Sequence, residues 1–287
     1  MFTADTSIKT VTSDPAFAGF GRLLFPSDEW YYSGDTLGTL RLAWYSHIDP
    51  KDTVAIVNEL KQRALRKEQV FFDLYSPSEK AACPDKEDTG LFFFRGKSGA
   101  PFAVCNAGGG FAYVGAMHDS FPHALALSRR GYHAFALIYR PGARSGCEDL
   151  ARAIRFIFDH ARALGVSTHC YSLWGGSAGA RLAAWMGAYG PEAFGQGSLP
   201  RPGTVVMQYT GYSEHARHDP PTFACVGERD GIADWRVMQR RIRTLAAAGI
   251  PAAFRHYPSL GHGFGLGHGT EAEGWLDEAI AFWEAQM

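Results

Sequence analysis

From about residue 88 onward, short apolar runs alternate with amphipathic stretches of helical period. Runs at 91–94, 101–106, 133–139, 170–174, 203–209, 222–227 and 252–257 are too short for helices and rich in Phe, Val and Ala. They read as buried strands. Between them lie helical patterns. One opens at Ser120 and Pro122, a capping residue and a first-turn proline, and stops at Gly131. Others cover 148–164, closed by Gly165, the stretch after Ser177 to about Tyr189, 233–248, ended by Gly249 and Pro251, and 271–285. Strands alternating with helices predict an α/β protein with a doubly wound, mostly parallel sheet. In such sheets, ligands sit at the carboxyl ends of the strands.

The first 87 residues are patterned more weakly. Asp49 and Pro50 announce a helix running from Asp52 or Thr53 to about Arg66, with Val54, Val57, Leu60 and Ala64 on one face. Residues 70–75 read as a strand, 19–26 as a loop leading to a short extended piece, and 80–88 as a charged surface loop. No repeat or low-complexity linker separates this region from the remainder of the chain. Residues 1–87 are therefore expected to pack, cap-like, on a domain of residues 88–287. The aromatic run Trp30, Tyr31 and Tyr32 is either packing surface or a stacking surface for a ligand.

Composition narrows the classes. The 287 residues are 46% hydrophobic and 20% charged, as in soluble globular proteins, and the net charge is -1. There is no electrostatic case for nucleic acid or an anionic membrane. No apolar run approaches membrane-spanning length. Met1 to Asp5 has neither a basic start nor an apolar core, so no secretory signal is read there. Cys83, Cys105, Cys147, Cys170 and Cys225 form no CxxC pair and read as reduced thiols, which points to the cytoplasm. His215 and His218 have a spacing that suits a metal, but no further ligand lies near them, so neither metal nor cofactor is expected. Oligomeric state is not legible.

The chemistry centres on Gly175-Gly176-Ser177-Ala178-Gly179, a G-x-S-x-G pattern between a strand and a helix. A serine presented at the tip of so sharp a turn needs a strained backbone, and its crowded neighbours must be glycine. The helix behind it aims its positive end at the reaction centre. A serine nucleophile needs a base and an acid, expected in the order serine, acid, histidine, each after a strand. The strand ending at Val226 is followed by Glu228, Asp230 and, further on, Asp234. Asp230 is favoured, since Glu228 sits close to the strand end and Asp234 falls in a helical first turn. The strand ending at Tyr257 is followed by Gly261-His262-Gly263, which favours His262 over His268. Gly108-Gly109-Gly110, after the strand at 101–106, lets backbone N–H groups approach a substrate oxyanion, and Ala178 adds a donor.

With these residues in view, the stretch from about 88 to 287 resembles an α/β-hydrolase, in the esterase branch related to hormone-sensitive lipase and bacterial acetyl esterases. The likeness rests on Ala107 to Phe111, Tyr139-Arg140-Pro141, Glu148-Asp149, the serine pentapeptide, Asp230 and Gly261 to Phe264. It implies Ser177 as nucleophile, Asp230 as acid and His262 as base. It also implies Gly109, Gly110 and Ala178 as oxyanion-hole donors, and a small-molecule ester as substrate. A short, acetyl-type acyl group is expected, carried by a sugar or small metabolite. Two features depart from the family. Ala107, preceded by Asn106, stands where a histidine is usual, so Asn106 is expected to support the glycine loop. The segment between Tyr209 and Thr222 is also short for the helical lid that relatives carry. The rival functions are a peptidase or amidase with the same residues, and a non-catalytic binding protein on the same fold.

Overall fold

The computed structural model describes residues 1–46 and 48–287. Eight strands form one sheet: β1 Phe71–Phe72, β2 Gly90–Phe94, β3 Pro101–Asn106, β4 His133–Ile138, β5 Ser167–Gly176, β6 Thr204–Gln208, β7 Thr222–Gly227 and β8 Ala252–Tyr257. Their order across the sheet is β8-β7-β6-β5-β3-β4-β2-β1. Strands β1 and β2, and β2 and β4, pair antiparallel. All other neighbours are parallel. The expected mostly parallel sheet is present. Its inner strands are mostly apolar for a physical reason: β2, β4, β6 and β7 are buried at every position, so no residue faces water. The two edge strands, β1 and β8, have no fully buried position.

The main helices are α1 Pro50–Leu65, α2 Phe121–Arg129, α3 Ala143–Asp159, α4 Ala178–Tyr189, α5 Trp235–Ala247 and α6 Trp275–Glu284. Several start away from where the pattern puts them. α3 begins five residues before Glu148 because Gly142, at φ 99°, turns the chain into the helix without a capping side chain to announce it. α6 begins at Trp275, after turns over 270–274. α1 starts at Pro50, where Asp49 accepts a hydrogen bond from the Lys51 N–H at 2.8 Å. The charged stretch at 80–88 is not a loop: it holds the end of a helix, Pro77–Ala82, opened by a Ser76/Glu79 capping box, and a 3-10 turn, Pro84–Asp88. A second 3-10 turn, Gly21–Leu24, replaces the expected extended piece.

The N-terminal residues share the core of the sheet. Phe20 stacks on Phe71 at 5.2 Å and meets Phe92 edge-on at 5.7 Å. Phe2, Val11, Phe17 and Leu24 belong to the same buried cluster as the strands. Strand β1 itself lies before residue 88, so the sheet is completed by the extension. Arg140, just after β4, is held by Asp149 of α3. Asp149 is fully buried and takes the Arg140 guanidinium at 2.8 Å and its backbone N–H at 2.7 Å. The segment after β6 is anchored in the same manner: Arg241 of α5 pairs with Asp219 at 3.0 Å, both side chains almost wholly buried. These two ties fix loops at the carboxyl end of the sheet, where the serine emerges.

Candidate active site

Strand β5 ends at Gly176 and α4 begins at Ala178, leaving Ser177 alone at the turn. Its backbone sits at φ 52°, ψ -115°, a conformation costing about 1–3 kcal/mol for a residue with a side chain. The Ser177 N–H donates to the Gln208 carbonyl at 2.9 Å, which ties the turn to β6. The glycines are dictated by space. A Cβ on Gly175 would lie 2.3 Å from the Gly179 carbonyl carbon, and one on Gly179 would lie 2.0 Å from the Asn106 carbonyl oxygen. Both obstacles are backbone and cannot rotate aside. Gly179→Ala is therefore expected to cost about 3 kcal/mol or more, or to prevent folding, as read from the urea midpoint. A variant of wild-type stability would mean the turn is slack.

The structure brings Ser177, His262 and Asp230 together in one hydrogen-bonded chain. Ser177 Oγ lies 3.0 Å from His262 Nε2, and His262 Nδ1 lies 2.7 Å from Asp230 Oδ2. A carboxylate only accepts, so Nδ1 carries the hydrogen and Nε2 is left free to take the serine proton. The other Asp230 oxygen accepts the N–H groups of Ile232 and Ala233, both at 2.8 Å, so the carboxylate cannot turn away. Asp230 and His262 are both buried. The rival residues are engaged elsewhere. Glu228 meets His256 at 2.5 Å, Asp234 caps α5 through the Arg236 N–H at 2.9 Å, and His268 faces Asp52 at 3.7 Å.

The glycine loop curls over Ser177. Gly109 and Gly110 have φ of 126° and 63°, and a Cβ on Gly109 would strike the Tyr113 carbonyl at 2.2 Å. Neither N–H meets an acceptor among the described residues. Ala178, first in α4, has no intrahelical partner for its N–H either. These are the three expected oxyanion donors. The Gly108 N–H is otherwise occupied: it donates to Asp119 at 2.7 Å.

Asp119 is a residue the sequence does not reveal. It is fully buried and accepts three donors: the Gly108 N–H, the Tyr45 hydroxyl at 3.1 Å and the Tyr209 hydroxyl. Burial raises its pKa above the ordinary carboxylate value, and the three donors oppose that rise. Its partners come from three distant segments, so no local pattern marks it. Asn106, expected to support the glycine loop, does something different. Its amide donates to the Val104 carbonyl at 3.1 Å and the Trp174 carbonyl at 2.9 Å, tying β3 to β5. The loop is held instead by Asp119 and by Tyr139, whose hydroxyl donates to the Ala107 carbonyl at 2.6 Å.

The N-terminal segment reaches this site through residues 43–46. The Ser46 N–H donates to the His262 carbonyl at 3.1 Å. Tyr113 of the glycine loop donates its hydroxyl to the Ala43 carbonyl at 2.6 Å, and Trp44 packs against Gly110. One strap therefore bridges the loops that carry the glycine donors and the histidine. The earlier aromatics do not enter the cavity. Trp30 is 85% exposed, and Tyr31 stacks on Tyr113 at 4.7 Å. The cavity beside Ser177 measures about 180 Å³ and is walled by Gly110, Phe111, Arg181, Thr210, Ile232 and His262.

A strand order of this kind, with a strained serine after the fifth strand, an acid after the seventh and a histidine after the eighth, defines the α/β-hydrolase fold. The BD-FAE family model matches residues 95–198. Among solved structures, the chain is similar to an acetyl ester-xyloside bifunctional hydrolase from Caldicellulosiruptor lactoaceticus, with TM-score 0.65, 20% identity, and 75% of this chain and 95% of that one covered. It is similar to MGS-M1, an α/β-hydrolase enzyme from a Medee basin deep-sea metagenome library, with TM-score 0.60, 21% identity, and coverage of 69% and 92%. It is also similar to the propionate-bound esterase Est2 of the Planctomycetes species Thermogutta terrifontis, with TM-score 0.61, 20% identity, and coverage of 69% and 89%. No curated protein matches the sequence. No helix among the described residues is long and apolar enough to cross a membrane.

Proposed function

We propose that this protein is a serine carboxylic-ester hydrolase that works through an acyl-enzyme. Ser177 attacks the ester carbonyl while His262 takes its proton, and Asp230 holds the imidazole and steadies the imidazolium. The N–H groups of Gly109, Gly110 and Ala178 receive the oxyanion. His262 then protonates the departing alcohol, and water repeats the sequence on the acyl-serine. The observation that carries this reading is the chain from Ser177 through His262 to Asp230, at 3.0 and 2.7 Å. A binding protein has no use for a serine held at φ 52°.

The substrate is a small-molecule ester with a short acyl group. The cavity, at about 180 Å³, is smaller than the 300–1,000 Å³ usual for drug-sized ligands. That Est2 of Thermogutta terrifontis is solved with propionate bound agrees with a short acid part. Residues 1–87 act as the cap, since their strap at 43–46 covers the loops of the site. All five cysteines are unpaired, which suits a cytoplasmic setting.

A fluorophosphonate probe is expected to label the wild-type protein and not Ser177→Ala. Turnover of p-nitrophenyl esters should peak between acetyl and butyryl. Folded wild-type protein that resists the probe and hydrolyses no ester would sink the proposal.

A further inference from the structure

We propose, resting on the ester-hydrolase reading above, that the natural substrate carries an anionic group, a carboxylate or its like, close to the scissile ester, and that Arg181 binds it. Arg181 stands four residues after Ser177, one turn along α4, and its side chain forms part of the same cavity wall as Ser177 and His262. Both residues line the same cavity, so a group held by the guanidinium shares that cavity with the attacked carbonyl.

The charge of Arg181 has no counterpart among the described residues. No carboxylate comes within ion-pair distance of it among the described residues, whereas Arg144, Arg152 and Arg155 of α3 each reach one. No acidic side chain lines the cavity. Asp230 does not serve, because its oxygens are taken by His262, Ile232 and Ala233. Arg181 is half-buried, and none of the ion pairs among the described residues involves it. The N-terminal end of α4 adds potential of the same sign at the same place. A cavity with two positive features and no negative one selects an anion, and a guanidinium fork suits a planar carboxylate best. Phe111 and Ile232 supply the apolar wall for the few carbons in between.

The anionic group belongs either to the acid or to the alcohol part of the ester, and matched substrates tell these apart. The acid arm compares mono-p-nitrophenyl glutarate with p-nitrophenyl pentanoate, corrected for spontaneous hydrolysis. The alcohol arm compares 4-acetoxybenzoate with 4-acetoxybenzamide. In one arm, the wild-type kcat/KM ratio of charged to neutral ester should exceed about ten. Arg181→Gln should lower that ratio at least about tenfold, Arg181→Lys should restore part of it, and added salt should erode it. A wild-type preference for the neutral ester in both arms, or a ratio unmoved in Arg181→Gln, would overturn the proposal. Absence of both turnover and fluorophosphonate labelling is a separate result. It removes the ester-hydrolase reading and this inference with it, whereas labelling with brisk turnover of neutral esters alone removes only the inference.

Discussion

His262→Ala is expected to lower kcat on p-nitrophenyl acetate by about five orders of magnitude, and Asp230→Asn by about four. Adding Asp230→Asn to His262→Ala costs almost nothing more. This non-additivity comes from the geometry. Asp230 touches the reaction only through His262 Nδ1, at 2.7 Å, and its second oxygen is bound to two backbone N–H groups. With the imidazole gone, the carboxylate has nothing left to orient. The alternative acids predict another result. Glu228 is paired with His256 and Asp234 with the start of α5, so Glu228→Gln and Asp234→Asn should leave kcat within about threefold of wild type. The check is steady-state kinetics on the singles and the double. Additive losses in the double variant would mean that Asp230 acts on the substrate by another route.

The legible and the hidden parts of the site divide along sequence distance. Ser177, Asp230 and His262 are legible because each sits in a short local signature: a strand end, then small or glycine residues, then the functional side chain. The same holds for Gly109 and Gly110, which a strand and a glycine triplet announce. Asp119 is not legible, because its meaning lies in Gly108, Tyr45 and Tyr209. Ser46 is hidden in the same way, bonded to His262 from a position more than two hundred residues earlier. An aromatic run leaves two readings open, packing or stacking for a ligand, and here packing is what is seen. Trp30, Tyr31 and Tyr32 form a conspicuous run, yet Tyr31 is taken up by Tyr113 and Trp30 faces solvent. The start of α3 escapes because a glycine conformation, Gly142 at φ 99°, replaces the usual capping side chain. Parallel strands are the easiest part, since burial on both faces leaves a continuous apolar record.

Asp119→Ala is expected to lower kcat by about 100- to 1,000-fold while KM moves by no more than about threefold. Asp119 does not touch substrate; it is a positioning residue. By binding the Gly108 N–H it fixes the first peptide of the loop whose next two N–H groups are proposed to receive the oxyanion. It also crowds Gly176, where a Cβ would come within 2.3 Å of its carboxylate, so it reads the nucleophile strand and the glycine loop against each other. Its loss leaves a buried N–H and two tyrosine hydroxyls without a partner, which should cost about 3 kcal/mol of stability. Asp119→Asn should fall between wild type and Asp119→Ala, because its amide keeps one acceptor for Gly108 while its NH₂ faces hydroxyls that can turn to accept. The pH dependence separates positioning from mere packing. Burial holds the folded-state pKa of Asp119 above its unfolded value. Such a carboxyl contributes stability that is complete below the unfolded pKa and is lost as pH rises through the folded one. Asp119→Asn has no proton to lose, so the stability gap between wild type and this variant should be widest at low pH and narrow as pH rises. Urea denaturation at several pH values measures the gap, and single-turnover acylation measures the chemical step. A gap that widens with pH, or a kcat that falls only as far as the folded fraction does, would leave Asp119 as ordinary core.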